Sequence, residues 1–146
     1  MAKFFPIHSG QSTQGLPKEQ LLPVIEAIRK HVAVMRDAFA QLEIRMVGGS
    51  LLIIYESDLE RAKQGIDLLE DGVGEEEGGE DEDEDEEEDE EEGKENTKPG
   101  PPCLVKLIDF AHTKAVVGEG PDEGALLGMD TTLRLLGGRI AQIRDS

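Results

Sequence analysis

The chain has 146 residues, enough for one domain and too few for two ordinary ones. Thirty-three acidic against fifteen basic residues give a formal net charge of −18, which argues against direct nucleic-acid binding and against affinity for anionic membranes. No apolar run approaches a membrane span, MAKFFPIHSG lacks a signal-peptide core, and the lone Cys103 excludes an intramolecular disulfide and Cys/His zinc patterns, so a soluble protein in a reducing compartment is expected.

Phe4 and Phe5 precede a loop rich in Gly, Ser, Thr and Gln that runs to Leu16. Leu21, Ile25, Ile28, Val32, Met35, Phe39 and Leu42 then recur at spacings of four and three, which puts them on one helical stripe. Pro17 and Pro23 belong near the first turn, so the helix is expected to start between about Lys18 and Leu22. Arg29, Lys30, Arg36 and Asp37 fall off the stripe and should be wet, and His31 reads as a surface or boundary histidine rather than a ligand. The stripe spans only three heptads, which favours packing on a domain core over a coiled-coil seam.

From Ile44 to Glu56 the pattern becomes a continuous aliphatic run broken by Gly48-Gly49. Leu51 to Tyr55 have the length and composition of a strand buried on both faces, and the glycines suggest a bulge or a close backbone approach. Ser50, beside that irregularity, could meet a phosphate or a metal-bound water, or satisfy a local backbone group; the residues alone favour the second. Leu59, Ala62, Ile66 and Leu69 predict a short helix.

Order is expected to fail over residues 71–102. Glu75 to Glu92 is acidic throughout except for Gly78 and Gly79, and Lys98 to Pro102 adds prolines and glycine, so little apolar surface offsets the entropy of ordering. Such a tract is usually a solvated spacer; recruitment of basic nuclear proteins is the alternative. It carries no EF-hand ligand ladder. With its charge set aside, the remainder is close to neutral.

Leu104, Val105, Leu107 and Ile108 predict a buried strand, antiparallel to the first, that delivers Asp109 to the start of a loop, with His112 just beyond. A carboxylate so placed often binds Mg²⁺ beside a nucleotide, because the strand fixes the oxygen and the loop leaves room for phosphates; aspartate also simply favours turns. Turn formers at Gly118, Gly120, Pro121 and Asp122 follow, and Asp122 could cap a last helix. Its stripe is Leu126, Met129, Leu133, Leu136, Ile140 and Ile143, widened by Leu127 and Leu135 and weakened by Gly128 and Gly137-Gly138. No internal repeat is present. The expectation is an α+β arrangement of an antiparallel strand pair flanked by helices.

SLLIIYE at Ser50 to Glu56, IDFAHT at Ile108 to Thr113 and GPDEGALLGMDTTLRLL at Gly120 to Leu136 stand in the order seen in the inositol polyphosphate kinase family. The chain resembles the C-terminal half of that family, with the nearest likeness to its fungal multikinase branch. The likeness covers everything but the acidic insert. It implies the C-terminal portion of a two-lobed, kinase-like fold, ATP and Mg²⁺ as cofactors, and phosphoryl transfer to inositol phosphates in nucleus and cytoplasm. By the same resemblance Asp109 matches the metal-binding, catalytic aspartate, Ser50 lies near the nucleotide phosphates, and His112 matches a position close to the bound inositol phosphate. Lys114, with Lys106, is the best available cation for a polyanionic substrate.

The family's PxxxDxKxG signature is missing, as are the N-terminal lobe strands with their ATP-contacting lysine and the hinge that reads adenine. The chain is therefore expected to be a C-terminal portion, a truncation or a degenerate copy, that does not turn over substrate by itself and leaves apolar surface exposed on the stripes of its two amphipathic helices, which the missing portion would help cover. The competing reading is a non-catalytic protein that presents its acidic tract to basic nuclear partners.

Overall fold

A computed structural model describes residues 1–7, 15–71 and 100–146. The acidic tract of Glu75 to Glu92, and most of the loop before Leu16, lie outside these residues. The element order is α1 (Lys18–Phe39), β1 (Ile44–Met46), β2 (Ser50–Tyr55), α2 (Leu59–Glu70), β3 (Cys103–Ile108), β4 (Thr113–Ala115) and α3 (Glu123–Arg144).

Helix α1 begins at the first of the expected positions, after Pro17. Pro23 is not in the first turn but the second, where it withholds an N–H from the Glu19 carbonyl; Glu19 is exposed, so water can take that bond. The stripe packs as its spacing demands. Leu21, Ile25, Ile28 and Val32 are fully buried together with Val24, while Met35 is half-buried and Leu42, past the helix end, is exposed. Against this face lies α3, contributing Leu136, Ile140 and Ile143 to the same cluster. Each such side chain contributes on the order of 1.5–3 kcal/mol on leaving water. Leu127 and Leu135 do not widen the buried face: they are 67% and 43% exposed, because one neighbouring helix covers only one side of α3.

Polar ties join the two long helices to each other and to the N-terminal segment. Arg36, expected to be wet, is half-buried and reaches Asp130 on α3 at 2.9 Å, which holds the guanidinium pKa above its usual value. The Lys18 ammonium donates to the carbonyls of Arg144 and Ser146, where the α3 dipole favours a cation. Arg139 is buried at 8% exposure and donates to the Phe5 carbonyl from Nη2 (2.6 Å) and Nε (3.2 Å), anchoring the N-terminal segment. Phe5 in turn lies 5.3 Å from the Tyr55 ring, whose hydroxyl donates to the Phe4 carbonyl.

The strands form a broken ribbon. β2 pairs antiparallel with β3 from Ser50↔Ile108 to Tyr55↔Cys103, as expected, and β1 pairs antiparallel with β4 from Ile44↔Ala115 to Met46↔Thr113. Burial on both faces is corrected. Leu51, Ile53 and Tyr55 point to the core, whereas Leu52 (37%), Ile54 (49%) and Leu104 (39%) are exposed on the outer face. Among the described residues each sheet is only two strands wide and α1 packs on one side of it, so apolar surface is exposed on the sheet, whereas the helix stripes, where it was expected, are largely buried.

Helix α2 is capped by Asp58, which accepts from the N–H groups of Glu60 and Arg61. Residues 100–102, expected to belong to the unstructured insertion, are packed. Pro102 is buried, its carbonyl accepts from Glu56 N–H at 2.9 Å, and Gly65 of α2 sits against it so closely that a Cβ there would lie 2.8 Å from the Pro102 nitrogen. No helix among the described residues is long and apolar enough to cross a membrane.

Candidate functional site: the break in the ribbon

The two sheets are one ribbon with an irregular joint. Met46 faces Thr113 and Ser50 faces Ile108, leaving residues 47–49 on one strand opposite 109–112 on the other. The extra residue is thus on the Asp109 side, not at Gly48-Gly49 where a bulge was anticipated. Gly48 still matters, since its φ of 79° turns the chain between β1 and β2.

Asp109 takes up the irregularity. With φ 61° it is the only non-glycine residue in the left-handed region among those described. That conformation is uncommon outside glycine, less unfavourable for Asp than for most residues, and concentrates at functional sites. It stops β3 abruptly and leaves the carboxylate exposed. Ser50 begins β2 directly across from Ile108, so register alone brings Ser50 and Asp109 to the same end of the β2–β3 pair. His112 closes the joint, its carbonyl accepting from Val47 N–H at 3.2 Å. Lys114 stands farther along, in β4 opposite Arg45. All four residues nominated from the sequence are exposed around one joint.

Behind it, the β4–α3 loop is fastened to β1. Arg45 donates from Nη1 to the Gly120 carbonyl (2.9 Å) and from Nη2 to that of Glu119 (3.1 Å), and Glu43 accepts from Gly118 N–H. Asp122 caps α3, as expected, through Oδ1 with the N–H groups of Gly124 and Ala125, and its Oδ2 also accepts from Met46 N–H at 2.9 Å. The Met46 bond leads the causes that hold the Asp122 carboxyl below its usual pKa. Sequence reasoning overlooked Arg45 and the Met46 tie; a single charge inside an aliphatic strand run was the available sign of the first.

A divalent cation fits one particular mode here. Among the described residues no three His, Cys, Asp or Glu side chains gather to form an all-protein cage. One exposed carboxylate at the end of β3 instead suits a divalent cation that keeps several waters and takes its other ligands from a bound phosphate. A separate groove of about 340 Å³ between α1 and α2, lined in part by Ala27, His31, Ile66 and Leu69, is built from none of these residues.

A sequence model described as inositol polyphosphate kinase matches residues 1–137. The chain belongs to the inositol polyphosphate kinase family. No curated protein sequence matches this family member significantly. Among solved structures its fold is similar to that of the inositol phosphate multikinase Ipk2 from S. cerevisiae in complex with ADP and Mn²⁺, with a TM-score of 0.55 and 24% identity. That likeness covers 92% of this chain and 41% of the yeast one, so the α+β unit corresponds to part of a kinase-like fold.

Proposed function

We propose that this kinase-family chain carries the metal and phosphate end of an ATP-dependent phosphotransferase acting on inositol phosphates. The observation that carries the proposal is the joint itself: Asp109, at φ 61°, is held beside Ser50 by the Ser50↔Ile108 register. Residues 1–146 then form a C-terminal portion of the kinase domain, interrupted by the acidic tract. Asp109 holds Mg²⁺ or a like cation, Ser50 orients nucleotide phosphate, and His112 and Lys114 hydrogen-bond and charge-pair the inositol phosphate. When bound, the metal nucleotide supplies the transferable phosphoryl group and neutralises its charge; the chain's contribution is positioning, which such reactions require above covalent help.

The unit spans 41% of the yeast structure and contains no PxxxDxKxG, so by itself it is expected to bind metal nucleotide without turning over substrate. Titration calorimetry with ATP in the presence and absence of Mg²⁺ tests this. Heat that requires Mg²⁺ and vanishes in Asp109→Ala supports the assignment; binding that persists in Asp109→Ala overturns it.

A second reading rests on the acidity of Glu75 to Glu92, which would recruit basic nuclear proteins and fits residence in nucleus and cytoplasm. Salt-sensitive binding of a histone, lost when residues 75–92 are deleted, supports that role. Equal binding by the deleted chain rejects it.

A further inference from the structure

The joint that holds Ser50 and Asp109 is not supported by its own strands alone. Met46 is the last residue of β1 and the last paired before the joint. Its N–H is held by Asp122 Oδ2 at 2.9 Å, and its thioether lies over Gly49, where an added Cβ would meet Sδ and come within 2.8 Å of Cε. Gly49 is followed directly by Ser50. A continuous series of contacts thus runs from the start of α3, through the backbone and then the side chain of Met46, to the residue before Ser50. Asp122 can do this because its two oxygens divide the work: Oδ1 serves the helix cap and Oδ2 is left for β1.

We propose that Asp122 and Met46 are positioning residues that set the placement of Ser50 against Asp109. The inference rests on the kinase reading of those two residues. Asp122 touches neither nucleotide nor substrate in this scheme and acts only through Met46. Arg45 and Glu43 fasten the same loop to β1 and keep Asp122 in reach.

Asp122→Asn separates the two roles. Asparagine is as good an N-cap as aspartate, so its one carbonyl oxygen preserves the α3 cap, while the amide nitrogen turned toward Met46 N–H opposes donor to donor. Amide NMR of the ligand-free chain is expected to show hydrogen exchange at Met46 accelerated about tenfold or more, with the resonances of Gly49, Ser50 and Asp109 displaced and α3 helicity unchanged. Met46→Ala should displace the same resonances, Met46→Leu should largely restore them by keeping the volume over Gly49, and Asp58→Asn, at the α2 cap, should leave them in place.

Affinity for Mn²⁺ with ADP should fall about tenfold in Asp122→Asn and Met46→Ala, the low end of the roughly 10–100-fold losses that follow removal of a group supporting a metal ligand from outside its coordination shell. Met46→Leu should retain it. Unmoved Ser50 and Asp109 resonances in Asp122→Asn, or unaltered Mn²⁺·ADP affinity, would overturn the proposal. If the wild-type chain takes up no Mn²⁺·ADP, the kinase reading fails on its own, and the ligand-free resonances still decide whether Asp122 positions the joint.

Discussion

Replacing Asp109 with glycine and, separately, with alanine isolates the backbone contribution of the joint, because both variants lack the carboxylate. At φ 61° an L-residue carries a left-handed penalty of roughly 1–2 kcal/mol, toward the low end for aspartate, and alanine bears it in full. Glycine bears none, but its unfolded chain is more mobile by about 0.5–1 kcal/mol. Asp109→Gly should therefore be more stable than Asp109→Ala by about 0.5–1 kcal/mol, a difference of roughly 2–4 °C in Tm for a chain of this size. At exposed Lys106, inside β3, the order should reverse, with glycine the less stable by about 0.5–1 kcal/mol. Urea melts of the four variants, fitted with a common slope, give the comparison directly. Alanine equal to or more stable than glycine at position 109 would refute the claim that the joint is held in a left-handed conformation.

Three further outcomes follow from the packing. Hydrogen bonds from Met46, Ala125 and Gly124 depress the Asp122 carboxyl pKa in the folded state below its ordinary 3.8, so its contribution is fully present above that value and is lost as pH falls through the folded pKa. Acid melts of Asp122→Asn should accordingly show a shallower loss of stability below about pH 4 than the wild type. Burial pushes the Cys103 thiol up to about 11, so reaction with a disulfide reagent at neutral pH should be negligible until urea unfolds the chain; prompt labelling of the folded protein would contradict its burial. Gly65→Ala should destabilise by about 1–3 kcal/mol, because the new Cβ meets backbone atoms of Pro102 and Gly100 that cannot rotate away, and an unchanged urea midpoint would show that residues 100–102 do not pack on α2.

Periodicity carried the long elements into view. Six of the seven residues at spacings of four and three, Leu21 to Phe39, lie in α1 and the seventh, Leu42, falls just past its end; Leu126 to Ile143 mark α3, and Leu104 to Ile108 mark β3, which begins one residue earlier at Cys103. What it could not reveal is how wide the sheet is. Leu52, Ile54 and Leu104 look like buried-strand residues because hydropathy records what a side chain prefers, not whether a second layer covers it. β1 and β4 were missed because three residues carry no period and their partners are about 70 positions apart, so only tertiary pairing reveals them.

The site was legible in part. The end of β3 was an evident place for a functional carboxylate, and Ser50 stood beside an evident glycine break. Their meeting depends on a register and a one-residue offset between strands, and local pattern specifies neither. Arg139 illustrates the same limit. Its place between Leu136 and Ile140 put it near the apolar stripe, yet burial of a guanidinium needed the Phe5 carbonyl, contributed from the other end of the chain.

In the proposed function Ser50 and Asp109 together face a metal nucleotide. Paramagnetic broadening by Mn²⁺, recorded amide by amide with and without ADP in a chain lacking residues 75–92, tests it most directly, because the deletion removes the diffuse attraction of the acidic tract for cations. Broadening is expected to centre on Ser50, Asp109 and Phe110, to strengthen with ADP and to disappear in Asp109→Asn. Broadening centred elsewhere, or indifferent to both ADP and Asp109→Asn, would contradict it.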